Sequence, residues 1–182
     1  MHKLILTMFI LLNSISTHTF ATTEGLLEHL PNDFRQLEFK EVGKAKFSVL
    51  FWDIYNSTLY TKSGNYLHQD SAESLLFKID YLKDITTDDL IERTVLQWQH
   101  LEVPESTYTP YISKLKAIWP NISAGDSLTL LVDNGKSVFY FNNEKVGTIT
   151  AQEFSRLFLD IWLSPATSQA KLRSQLLGGN NR

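Results

Sequence analysis

Between Asp126 and Ile149 three short apolar runs follow one another across an Asn-Gly and an Asn-Asn pair, and this spacing constrains the fold more than any other feature. The runs are Asp126 to Asp133, Ser137 to Phe141 and Lys145 to Ile149, and their connections are Asn134-Gly135 and Asn142-Asn143. Asn and Gly are the residues that accept positive φ, which the two-residue turns of tight antiparallel hairpins demand. Three antiparallel strands in sequence are therefore expected.

The rest of the chain supplies more strand and a set of helices. Leu37 and Phe39 alternate with polar neighbours, and Gly43 interrupts the pattern. Lys46 to Thr61, KFSVLFWDIYNSTLYT, reads as one long strand. Phe47, Val49 and Phe51 would point to one face, and Ser48, Leu50, Trp52 and Ile54 to the other. Both faces are largely apolar, which predicts a central strand covered on both sides. Leu75 to Tyr81 is a further strand. In Thr86 to His100, residues Leu90, Ile91, Thr94, Val95 and Trp98 form a stripe at helical spacing, with Asp88 and Asp89 favourably placed in the first turn. Thr109-Pro110 reads as the start of a second helix that Pro120 ends. Thr150-Ala151-Gln152-Glu153 has the form of a capping box ahead of Phe154, Leu157, Phe158, Ile161 and Trp162. A last helix is expected from Pro165 to Leu177, stopping at Gly178-Gly179. Strands grouped apart from helices indicate one α+β domain, an antiparallel sheet with helices packed on it.

Composition narrows the function. The chain has 182 residues, 43% apolar and 20% charged, with a formal net charge of −3. That balance fits a packed domain and argues against nucleic-acid binding, which needs a basic face. No cysteine is present. Thiol catalysis, zinc-cysteine sites and disulfides are thereby excluded. Met1-His2-Lys3, the apolar run Leu4 to Leu12 and the polar stretch ending at Ala21 have the form of a secretory signal. Nine residues are too few for a membrane-spanning helix. Residues 1–21 are read as a cleaved signal peptide and 22–182 as the mature domain, without a transmembrane segment and periplasmic. Thr22 to about Asn32 is expected to fray. The triplets Asn56-Ser57-Thr58 and Asn121-Ile122-Ser123 are read as chance occurrences in a bacterial exported protein, not glycan sites.

Familiar chemical motifs are missing. His29, His68 and His100 are scattered, without metal-ligand spacing, and no metal or cofactor is expected. Gly135-Lys136-Ser137 lacks the first glycine of a phosphate-binding loop, because position 130 is Leu130, and it falls in a hairpin turn. There is no G-x-S-x-G elbow.

Several segments carry a resemblance. IWPNISAGDSLTLLVDNGKSVFYFNNEKVGTI, followed by the capped helix and WLSPATSQAKLRSQLLG, resembles chalcone isomerase and its relatives, in particular the bacterial exported chalcone isomerase-like proteins. VGKAKFSVLFWDIYNSTLYT is similar to that family's long central strand, and YLKDITTDDLIERTVLQW to the passage lining its cleft. The resemblance runs from about Glu38 to Gly178. It implies an open-faced β-sandwich of the chalcone isomerase type, a large antiparallel sheet covered by a helix layer with a cleft between them.

Plant members of that family close a chalcone to a flavanone, and other relatives bind fatty acids without catalysis. Ring closure needs a cation for the phenolate and hydroxyl donors for the ketone. The nearest matches to the family's catalytic positions are Lys44 for the arginine, Leu50 for the strand threonine, Thr86 for the tyrosine, Arg93 for the asparagine and Thr150 for the last Ser/Thr. Lysine lacks the guanidinium fork, and Leu50 donates no hydrogen bond. Most of the catalytic set is thus replaced. The resemblance implies instead a cleft whose ligand-binding candidates are Trp52, Tyr55, Tyr60, Tyr81 and Arg93. Ordinary core packing is the competing account of each aromatic. Arg93 lies about 130° from the centre of its helix's apolar stripe. It is therefore either a solvated side chain or the holder of an anionic head group. The leading expectation is a non-catalytic protein that binds a small apolar or amphipathic, fatty-acid-like ligand. The alternatives are an isomerase (intramolecular lyase) with an unknown substrate and an interaction module of the cell envelope without a ligand.

Overall fold

The computed structural model describes residues 38–66 and 74–179. The expected signal peptide, the frayed segment and Leu37 lie outside these residues. Six strands form one antiparallel sheet in the order of the sequence. They are β1 (Lys40–Val49), β2 (Trp52–Thr61), β3 (Leu75–Tyr81), β4 (Ser127–Asp133), β5 (Lys136–Phe141) and β6 (Glu144–Ile149). Four helices accompany them: α1 (Thr87–His100) and α2 (Glu105–Ile118) between β3 and β4, then α3 (Gln152–Leu163) and α4 (Ala170–Leu176) after β6. The expected α+β architecture, an antiparallel sheet under a helix layer, is the one observed.

The two-residue turns behave as their residues require. Asn134 and Gly135 have φ of 48° and 73°, and Asn142 and Asn143 of 47° and 72°. Positive φ at both central positions gives these turns a twist that matches the strands they join.

The run from Lys46 to Thr61 is a hairpin and not one strand. β1 ends at Val49, which pairs with Trp52 across the turn residues Leu50 and Phe51. Nothing in the residue types marks this turn, since Leu50 adopts φ +54° without being Gly or Asn. Residues 48 and 53 pair, as do 47 and 55, so Ile54 is an extra residue in β2. Such a bulge reverses the alternation of side chains. It puts Trp52 on the same side as Tyr55. β2 lies between β1 and β3, second from the edge of the sheet.

Three helix boundaries also differ from expectation. α2 starts after Pro104, whose carbonyl accepts from the Thr107 N–H at 2.9 Å, so Pro110 falls inside the helix. There the Ser106 carbonyl loses its usual helical donor. Thr150 does not cap α3. The N-cap is Ala151, with no side-chain cap bond, and Glu153 accepts instead from the Tyr111 hydroxyl at 2.7 Å. Ahead of α4, the Thr167 hydroxyl donates to the Ile161 carbonyl at 2.7 Å and holds 165–169 as a turn. The α4 stop at Gly178 is as expected, with φ +78°.

The main core lies between sheet and helices. Leu59, Phe77, Leu130 and Phe139 from the strands meet Trp98, Leu115, Phe154 and Phe158 from the helices. A second cluster of Phe39, Tyr60, Leu76, Leu131 and Tyr140 occupies the opposite face of the sheet. The indole N–H of Trp98 donates to the Leu157 carbonyl at 2.9 Å and ties α1 to α3. At the far edge α2 presses on β6, where a Cβ on Gly147 would collide with the Ile118 side chain. Overpacking of this kind costs about 1–3 kcal/mol. Gly147→Ala should lower unfolding free energy by that amount in urea titrations, with an unchanged m-value.

Candidate functional site

Between the β1–β2 end of the sheet and the helix layer lies a cavity of about 720 Å³. The hairpin supplies Phe47, Val49, Leu50, Trp52, Ile54 and Tyr55, and β3 supplies Ile79 and Tyr81. From α1 come Leu90, Arg93, Thr94 and Gln97, and from α3 Phe158, Ile161 and Trp162. Trp119 and Leu128 also line the wall. A cavity of this size with predominantly apolar walls and a few polar groups is the usual form of a small-molecule site.

The inner wall is aromatic and neutral. Phe47 stacks on Tyr55 with centroids 5.1 Å apart, and Tyr55 meets Tyr81 edge-on at 6.1 Å. The Trp162 indole N–H donates to the Tyr55 hydroxyl at 3.0 Å, which fixes both rings. Burial pushes the Tyr55 phenol up to about 12, against a weaker opposing effect of the Trp162 bond. Burial, followed by the neighbouring Tyr55, pushes Tyr81 higher still. Both phenols stay protonated at physiological pH and offer hydroxyls, not phenolates.

Charge is confined to the mouth. Lys83 sits 4.6 Å over the Trp52 ring. Asp84 accepts from the Ala124 N–H at 2.8 Å, and Asp89 accepts from the Thr86 hydroxyl at 2.7 Å. The mouth carboxylates thus have local donors. Arg93, in contrast, pairs with no carboxylate among the described residues. Thr94, next to it, is occupied by its own helix, donating to the Leu90 carbonyl at 2.7 Å.

Of the ligand-binding candidates, Trp52, Tyr55, Tyr81 and Arg93 come together on this cavity. Tyr60 does not. Five residues along β2 from Tyr55, it faces the opposite side of the sheet, packed in the second cluster. The other positions matched to the family's catalytic set are dispersed. Lys44 is on β1 in an ion pair with Glu41 at 2.8 Å, beside a separate depression near Gln175. Thr86 caps α1, accepting from the Asp89 N–H at 3.1 Å. Thr150 is exposed beyond β6. Leu50 reaches the mouth but carries no polar group. Arg93 is the one polar member of that set that lines the cavity. Sequence reasoning did not place Phe47, Lys83 or Trp162 at the site. Trp162 was legible only as a member of an apolar helix stripe, and that stripe turns out to serve core and cavity alike. No cluster of His, Asp or Glu that could hold a metal occurs among the described residues.

A sheet with helices on one face and an apolar cleft between the layers defines the class. The chain belongs to the chalcone isomerase-like family, whose model matches residues 30–178. An uncharacterized protein of Haemophilus influenzae is 22% identical over 140 residues, covering 77% of this chain and 68% of that protein. The crystal structure of an Arabidopsis thaliana fatty-acid binding protein is similar in fold, with a TM-score of 0.60 and 11% identity. That match covers 83% of this chain and 90% of the plant chain.

The buried phenols set a pH dependence. An unfolded tyrosine ionises near 10, whereas folded Tyr55 holds its proton to about 12. Stability from this group is therefore complete below pH ~10 and is lost as pH rises toward the folded value. Denaturant midpoints should fall across that alkaline window, and Tyr55→Phe should make the fall shallower.

Proposed function

We propose that this protein is a non-catalytic binding protein for an amphipathic ligand with an apolar tail and an anionic head, a fatty acid being the simplest case. The observation that carries the reading is a 720 Å³ apolar cavity with Arg93 at its mouth and no carboxylate partner for it among the described residues. The tail lies against Tyr55, Tyr81, Phe158 and Trp162, and the carboxylate takes the guanidinium fork of Arg93 in bidentate fashion. Dispersal of Lys44, Thr86 and Thr150 supports binding over ring closure, since no polarising set converges on one point. The fatty-acid binding named for the plant structural relative agrees with this choice of ligand. We place the mature protein in the periplasm after removal of residues 1–21, on the strength of the basic start and short apolar run.

A charge-assisted hydrogen bond contributes about 1.5–3 kcal/mol. Arg93→Ala should therefore weaken binding of a long-chain fatty acid roughly tenfold to hundredfold. The fatty alcohol of the same length should lose little. Displacement of a fluorescent acyl probe measures both. Failure of wild-type protein to bind either compound, or turnover of a chalcone followed by absorbance, would overturn the reading. So would an equal loss for acid and alcohol.

A further inference from the structure

Of the six large apolar side chains exposed among the described residues, four are consecutive: Val49, Leu50, Phe51 and Trp52. A fifth, Leu82, lies alongside, its N–H donating to the Ile54 carbonyl at 2.8 Å. Phe51 is 98% exposed and Leu50 87%. Water-exposed aromatic and aliphatic groups gathered at one point mark an interaction site. The backbone there is held in a costly form, since Leu50 has φ +54° with a branched side chain in place of glycine.

We propose that the hairpin tip from Val49 to Trp52 is a wedge that inserts into a lipid surface, so that the cavity behind it exchanges its ligand with the membrane. Docking stands on the tip alone; exchange rests on the ligand reading given above. Three observations select a lipid surface. The tip is a projection of four consecutive residues with Leu82 beside it, whereas a stable protein interface engages about 20–30 residues a side. Trp52 carries the Lys83 ammonium over its ring, and an amphipathic ring beside a long basic side chain suits the boundary between acyl chains and headgroups. Val49, Leu50 and Trp52 also line the cavity, so an acyl tail leaving a bilayer along them passes inward without crossing water. Lys46 next to the tip is neutralised by Asp53 at 2.8 Å, and the chain is net negative. Apolar insertion, not charge, drives the docking.

The test uses vesicles of phosphatidylethanolamine with a minority of phosphatidylglycerol. Trp52 is the exposed tryptophan of the four, so emission should shift to the blue on vesicle addition, with little dependence on salt. Phe51 is outside the cavity lining and free of packing, so Phe51→Asp should fold with an unchanged melting temperature. It should bind vesicles at least ten times more weakly and deliver a fluorescent fatty acid from them correspondingly more slowly. Its affinity for a short, water-soluble fatty acid should be that of the wild type. The proposal fails if wild-type protein ignores vesicles, if Phe51→Asp binds them equally well, or if the substitution abolishes only a concentration-dependent self-association. Vesicle binding without any fatty-acid binding would retain the wedge and remove the ligand. Fatty-acid binding without vesicle binding would do the reverse.

Discussion

A seam of stacked and edge-on rings joins the helix layer to the sheet, and the position of everything else depends on it. Phe139 of β5 meets Phe154 and Phe158 of α3 at 6.2 and 5.6 Å, and Phe158 continues to Trp162, which lies 4.9 Å from Phe77 of β3. Aromatic pairs contribute about 0.5–1.5 kcal/mol each beyond the area they bury. With no cysteine in the chain, no covalent link can substitute for them. The seam runs from the β5 side of the sheet toward the hairpin and ends at Trp162. Beyond that residue the layers are no longer filled with rings from both sides, and the cavity opens. Its inner wall is the exposed end of the same packing that holds the domain together.

How much of this could be read beforehand depended on whether the signal was local. The meander from β4 to β6 was legible because Asn134-Gly135 and Asn142-Asn143 state their backbone conformation in their residue types. α1 was legible because Thr86, Asp88 and Asp89 mark its start and Ile91, Thr94 and Trp98 mark its buried face. The β1–β2 turn was not, because Leu50 adopts a positive φ that its side chain opposes. Tertiary pairing imposes that turn. Missing it also hid the bulge at Ile54, and with the bulge the face on which each residue of β2 lies. Tyr60 is a separate case: it stands five residues from Tyr55, so plain alternation already puts the two on opposite faces, and the resemblance had grouped them. Trp52 and Tyr55 reach the cavity together only because of the extra residue between them.

The capping box at Thr150 fails for a related reason. Its glutamate has a better use: Glu153 accepts from Tyr111 of α2, which connects the two helix pairs. Its own backbone N–H, and next the Tyr111 hydroxyl, hold the Glu153 carboxyl below its ordinary value. A pattern of four residues describes a helix start in isolation. A donor arriving from another helix can outcompete it, and only the packed structure supplies that donor.

The positions that match the family's catalytic set fell to structural work. Thr86 spends its hydroxyl on the α1 cap, Lys44 spends its charge on Glu41, and Leu50 makes the turn. Each is a local role that leaves no donor aimed into the cleft. Arg93 is different because its neighbours are already engaged: Asp89 with Thr86, Asp84 with the Ala124 amide, Thr94 with the Leu90 carbonyl. A cation at the rim of an apolar cavity, beside carboxylates with other donors, has its strongest electrostatic interaction unmade among the described residues. The same fold that can align hydroxyls for ring closure thus presents here a long apolar wall with its charges gathered at the mouth, the arrangement on which the proposed binding of an amphiphile rests.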